Sequence, residues 1–137
     1  MPLSGGTPAV TATVSGTVSS ERVTTTVTLT IAQSAAVSDV VDMRKYAAGI
    51  IIMPAGWDAA DLGAQICDTT DGTFAKLKDV SNGYGTDVSI DGPAASLAYI
   101  CPGWWFGAHY LKLYSHDGSG TDTVQTAART LKLLLKS

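Results

Sequence analysis

The chain has 137 residues, with nine Lys and Arg against twelve Asp and Glu and a net charge of −3. Charged residues make up 15% of it, against about 25% in an ordinary soluble domain, and its polarity comes instead from Thr, Ser and 14 glycines. This excludes a coiled coil, a helical repeat array and a charged disordered tail, and no basic stripe exists to neutralise phosphates, so a nucleic-acid partner is not expected.

Residues 1–33 form a threonine-rich zone with two charged residues, Glu21 and Arg22. Val10, Ala12, Val14, Gly16 and Val18 recur at period two, as do Val23, Thr25, Val27, Leu29 and Ile31. Alternation in β-branched residues predicts two half-buried strands, with Ser19-Ser20-Glu21-Arg22 as the turn between them. A lone two-stranded ribbon is marginal in water, so it must pack on its own domain or on a neighbour. We expect residues 1–34 to be an N-terminal β-ribbon or attachment arm that buries Val10, Val14, Val18, Val27 and Leu29 against another subunit. The same alternation fits a ribbon that completes the sandwich's own sheet. Residues 35–137 are expected to be the β-sandwich domain.

From Ala35 the pattern stays β. Strands are expected over Val37–Met43 and Tyr46–Met53, where Ile50-Ile51-Ile52 suggests burial on both faces. Pro54-Ala55-Gly56-Trp57-Asp58 breaks the run. Leu62, Ala64 and Ile66 alternate to near Asp68, Thr69-Thr70-Asp71-Gly72 reads as a hairpin turn using a positive φ, and Phe74–Leu77 returns. Val88–Ile90 and Ser96–Cys101 flank the Asp91-Gly92-Pro93 turn. His109–Ser115 and Arg129–Lys136 close the chain, the last with Leu131, Leu133 and Leu135 inward. About ten short strands with Gly-rich turns and no long helix predict an all-β fold, an antiparallel β-sandwich.

Cys67 and Cys101 are too few for a disulfide framework, and their spacing matches no zinc motif. Both are expected to be reduced and buried at strand ends. The start Met-Pro-Leu-Ser-Gly-Gly has no positively charged and apolar signal region, and no apolar run is long enough to span a bilayer. The expectation is a protein made in a cytoplasm that stays soluble, without a membrane partner.

Enzyme signatures such as G-x-S-x-G, a Gly-rich phosphate loop and H-E-x-x-H are missing from the sequence, so no enzyme activity is expected. Alternation puts His109 on the face of Leu111 and Leu113. Ser115-His116-Asp117 resembles a triad in composition, but neighbours along a strand point apart and cannot assemble one. Asp58, Asp61, Asp68 and Asp71 do not fit the calcium-loop spacing and read as turn formers and caps. No metal or cofactor is expected. Trp104-Trp105-Phe106, set between Pro102-Gly103 and Gly107, is the most unusual segment. One ring should plug the core and at least one should face a partner or groove, as an interface first and a sugar platform second.

The stretch from Ile50 onward resembles short virion proteins of tailed bacteriophages. The residues that carry the resemblance are Ile51-Ile52-Met53-Pro54-Ala55-Gly56-Trp57-Asp58-Ala59-Ala60-Asp61-Leu62 and Asp68-Thr69-Thr70-Asp71-Gly72-Thr73-Phe74. It continues through Phe106-Gly107-Ala108-His109-Tyr110-Leu111-Lys112-Leu113-Tyr114-Ser115 and Gln125-Thr126-Ala127-Ala128-Arg129-Thr130-Leu131. The resemblance implies a jelly-roll sandwich similar to discoidin-like or carbohydrate-binding modules. It also implies a structural virion protein, assembled in the host cytoplasm, of the capsid decoration or cement type. The partners would then be the major capsid protein or other virion proteins, with a homo-oligomer, a trimer first, as the assembly. A neck, tail or baseplate protein, a fibre-anchoring base, or a module binding carbohydrate through Trp104, Trp105 or Tyr84 are the alternatives. A hydrolase on a sandwich scaffold ranks last.

Overall fold

The computed structural model describes residues 24–80, 85–119 and 121–137. Val10, Val14, Val18 and Tyr84, and with them the first half of the expected ribbon, lie outside the described residues. The strands are β1 Thr24–Ile31, β2 Val37–Asp42, β3 Ala48–Ile52, β4 Asp61–Cys67, β5 Ala75–Lys76, β6 Lys78–Asp79, β7 Thr86–Asp87, β8 Ala98–Ile100, β9 Tyr110–His116 and β10 Arg129–Lys136. A single 3-10 turn covers Gly103–Gly107.

Eight strands pair antiparallel in the order β5-β4-β9-β2-β1-β10-β3-β8, and β6 and β7 form a separate small ribbon. The sheet curls on itself. Its halves, β8-β3-β10-β1 and β2-β9-β4-β5, join through one paired position, Ile31 with Ser38. The turn between them reverses at Ser34, whose φ of 64° is unusual outside glycine, and the Ser34 N–H donates to the Gln125 carbonyl at 2.8 Å. Leu29, Ile31, Ile51, Leu131, Leu133 and Leu135 from one half meet Val41, Leu62, Leu111 and Leu113 from the other in one core cluster. The fold is therefore all-β with a sandwich-like core.

β1 corrects the expected boundary at residue 34. It pairs with β10 from Thr24–Lys136 through to Ile31–Arg129 and sits between β10 and β2, in the middle of the sheet. Leu29 is fully buried and lies opposite Leu131, while Val27 packs against the core opposite Leu133. Residues 24–31 are thus part of the sandwich, and Leu29 offers no surface to another subunit. Alternation alone fits either placement. The three inward leucines of β10 decide it, because they need an apolar row beside them.

The acidic residues near β4 hold loops. Asp58 accepts from the Thr126 N–H at 2.6 Å and from the Arg129 guanidinium at 3.2 Å, tying the 54–60 loop to the start of β10. The Thr126 N–H, opposed by partial desolvation and aided by the Thr126 hydroxyl and Arg129, holds the Asp58 carboxyl below its usual range. Asp61 accepts from the Gly92 N–H at 2.7 Å, and Gly92 sits at φ 54° in the Asp91-Gly92-Pro93 turn. The 69–72 turn needs no positive φ. Gly72 gives close fit instead, since a Cβ would lie 2.6 Å from both Cys67 Sγ and Thr69 Oγ1 and one of these side chains would have to shift. Among the described residues no group of three or more His, Cys, Asp or Glu is placed to hold a metal.

Both cysteines are free thiols, but only Cys101 is buried. Cys67 ends β4 where the strand opens into the 68–74 loop, so it is half covered, contrary to expectation. Burial pushes the Cys101 thiol up to about 12, which removes the reactive thiolate at neutral pH. Alkylation of the native protein is therefore expected to add one label, at Cys67. Cys101 should be modified only after denaturation, as read by intact mass and peptide mapping.

Candidate functional site

The aromatic segment owes its geometry to the 3-10 turn, which follows Pro102 and advances about 120° per residue, so consecutive rings diverge. Trp105 is 1% exposed, and its indole N–H donates to the Val88 carbonyl at 2.9 Å. It plugs the end of the core and cannot itself be an interface residue, which corrects that expectation. Phe106 is half-buried against the core, with its ring edge over Gly49. Trp104 is 78% exposed.

Trp104 lines a groove of about 440 Å³ with Ile66, Leu77, Val80, Val88 and Ala108. Val80 is 75% exposed, so two large apolar side chains stand in solvent at one groove. The charged residues on its lining are Lys78 and Asp79. The Lys78 ammonium is held by the Asp87 carboxylate at 2.7 Å, so it is occupied within the protein. A sugar platform needs polar groups converging on the hydroxyls beside the stacking ring. This groove is instead apolar, and apolar side chains are what it can bury.

A second, polar cavity of about 430 Å³ lies over the outer face of β4 and β9, with Asp61, Asp87, Ser89, Asp91 and His116 on its lining. Gly63 of β4 pairs with Tyr114 of β9, and a Cβ at Gly63 would lie 2.7 Å from the tyrosine ring. The missing side chain lets Tyr114 lie flat on the sheet, fully buried, with its hydroxyl donating to Asp87 at 2.5 Å. His116, two residues along the same face, is 1% exposed and stacks tilted on Tyr114 with ring centroids 4.9 Å apart. Its Nε2 is 2.8 Å from Ser89 Oγ, and its Nδ1 is 3.7 Å from Asp87.

Ser89, His116 and Asp87 thus share the composition of a nucleophilic triad, but the hydrogen bonds run the other way. The Gly118 N–H donates to His116 Nδ1 at 3.1 Å, so that nitrogen carries the lone pair. The ring proton then sits on Nε2 and is donated to Ser89 Oγ, which accepts it. A general base needs the opposite tautomer, with Nδ1–H on the carboxylate at hydrogen-bond distance. As the network stands, Ser89 is not activated. The Ser115-His116-Asp117 tripeptide diverges, since Ser115 Oγ donates to the Thr123 carbonyl and Asp117 accepts from Ser119. His109 lies exposed just before β9, not on its inward face.

The cluster sets pH limits on the fold. Burial pushes the Asp87 carboxyl up, but hydrogen bonds from Lys78 and Tyr114 outweigh it and hold the group below its ordinary range. Burial, then the Asp87 bond, pushes the Tyr114 phenol well above its ordinary range. A depressed carboxyl contributes stability above its unfolded value of about 3.9 and loses it as pH falls through the folded value; raised phenol and thiol groups lose theirs as pH climbs past about 10 and 8.5. The melting temperature is therefore expected to be flat near neutrality, to drop below about pH 4, and to drop again above about pH 9–10. A Tyr114→Phe variant should flatten the alkaline limb in a calorimetric pH series.

No family model matches the chain, and neither the curated proteins nor the solved structures give a match.

Proposed function

We propose that the chain is a non-enzymatic structural protein of a tailed-phage virion, a capsid decoration or cement protein that stabilises the head by bridging shell proteins. The observation that carries the reading is Trp104. It is a large aromatic 78% exposed beside an apolar groove, in a chain whose neighbouring Trp105 already fills the core. Exposed aromatics set in apolar pockets are where interface energy concentrates. The polar cavity is wired as a structural network, with Ser89 an acceptor of the histidine proton.

The resemblance of the stretch from Ile50 to the C-terminus to short phage virion proteins supplies the setting, the jelly-roll form of the sandwich and the major capsid protein as partner. The same surface would serve at the neck, tail or baseplate. The carbohydrate reading keeps Trp104 alone of the described aromatics, because Trp105 is inside, and the described lining of the groove is mostly apolar. The test is quantitative mass spectrometry of gradient-purified particles, in which the protein is expected at a fixed ratio to the major capsid protein. Absence from the particles, together with a calorimetric signal for an oligosaccharide that Trp104→Ala abolishes, would replace this reading with the carbohydrate one.

A further inference from the structure

The two edges of the main sheet differ. At one edge β5 is two residues long and carries Lys76, whose ammonium pairs with Asp122 at 2.9 Å. Short, charged edges of this kind resist strand addition. At the other edge lies β8, Ala98-Tyr99-Ile100, with no charged residue from Ala94 to Cys101. Cys101 donates to the Gly49 carbonyl at 3.0 Å and Met53 to the Leu97 carbonyl at 2.9 Å, so Leu97, Tyr99 and Cys101 turn their backbone groups toward β3. By the antiparallel alternation, the N–H and C=O of Ala98 and Ile100 face the open edge. Ile100 is 84% exposed and Leu97 54%.

The surface beside this edge is apolar too. Ile100 stands opposite Ile50, itself 43% exposed, and the two line a groove of about 440 Å³ with Leu134 and Thr24. This groove is separate from that of Trp104. It therefore has both halves of a strand-addition site, namely backbone groups that take no partner among the described residues and a same-face apolar row.

The chain itself contains a segment of matching chemistry. Residues 10–18, Val-Thr-Ala-Thr-Val-Ser-Gly-Thr-Val, carry no charge and place Val10, Val14 and Val18 on one side in an extended chain. After five more residues of the chain β1 begins at Thr24, which lines the groove. In its own copy it would have to run in the same direction as β8 to reach Thr24. That would force a parallel pair into a sheet whose every pair is antiparallel. It would also have to cross four strand spacings, about 19 Å, in five residues. A second copy has neither constraint.

We propose that the β8 edge of one copy takes residues 10–18 of a second copy as an added antiparallel strand, with its valines continuing the Ile100–Ile50 row. The contact is head to tail, so it closes into a dimer by mutual exchange or into a small ring. This goes beyond the virion reading and needs only the chain itself.

Sedimentation velocity of the full-length protein tests it. Wild type is expected to associate with concentration in the micromolar range. Ile100→Lys, which spoils the edge, and Val14→Asp, which spoils the strand, should each weaken association at least tenfold with unchanged far-ultraviolet circular dichroism. Mixed together they should associate again, because the first supplies an intact strand and the second an intact edge. A synthetic peptide of residues 8–20 should bind Val14→Asp and not Ile100→Lys. A wild type that stays monomeric, association untouched by either substitution, or a mixture that does not recover would each overturn the proposal. The first would be the outcome if the segment stayed within its own copy, and the last if two β8 edges paired directly.

Discussion

A chain beginning at Ala35 is expected not to fold. It lacks β1, which pairs with β10 along its whole length and with β2 at the junction of the two half-sheets. Its loss strips the apolar cover from Leu131 and Leu133 and removes Leu29 and Ile31, both fully buried. Burying each such side chain contributes about 1.5–3 kcal/mol, and a domain of this size has only about 5–15 kcal/mol in total. The opened edges of β10 and β2 add unpaired backbone groups to that loss. Insoluble expression, or a soluble product without a cooperative urea transition, is the expected result. A chain beginning at Arg22 retains β1, so comparison of the two isolates the strand's share. Leu29→Ala in the full chain gives the milder form of the same test, with an expected loss of about 2–5 kcal/mol.

Trp105→Ala is expected to cost about 3–5 kcal/mol, the range for removing a buried aromatic ring. The loss has two parts, the cavity at the end of the core and the Val88 carbonyl deprived of the indole N–H. Trp105→Phe should retain most of the packing and lose the hydrogen bond, costing about 1–3 kcal/mol. Trp104→Ala, one residue away, is expected to change stability by no more than about 0.5 kcal/mol, because its ring is 78% exposed. Urea midpoints of the three variants measure the contrast. It separates a core tryptophan from a surface one in a turn where sequence treats them alike.

Much of the strand pattern was legible in the sequence because it rests on local alternation. Leu131, Leu133 and Leu135 are inward in β10, and Tyr46–Met53 contains β3 with Ile51 buried. What local pattern does not carry is which strand lies beside which. The placement of β1 follows from its long-range pairing with residues 129–136, more than ninety positions away in the chain. For the same reason the Asp87–Ser89–His116 cluster was not foreseen. Ser89 and His116 lie 27 positions apart and meet only because Asp87 and Ser89 lie over the outer face of β9. A usable hint was present in the alternation of Tyr114 with His116 on the face opposite Leu111 and Leu113. Which tryptophan points inward depends on the start of the 3-10 turn at Gly103, a single-residue register that composition does not fix.

The most direct measurement of the central claim is cosedimentation of the purified protein with phage shells stripped of it, for wild type and for Trp104→Asp. Wild type is expected to pellet with the shells and saturate at a fixed ratio to the major capsid protein. Trp104→Asp, with an unchanged melting temperature, should bind at least tenfold more weakly. Wild-type protein that stays in the supernatant, or a Trp104→Asp variant that binds as well as wild type, would contradict the account.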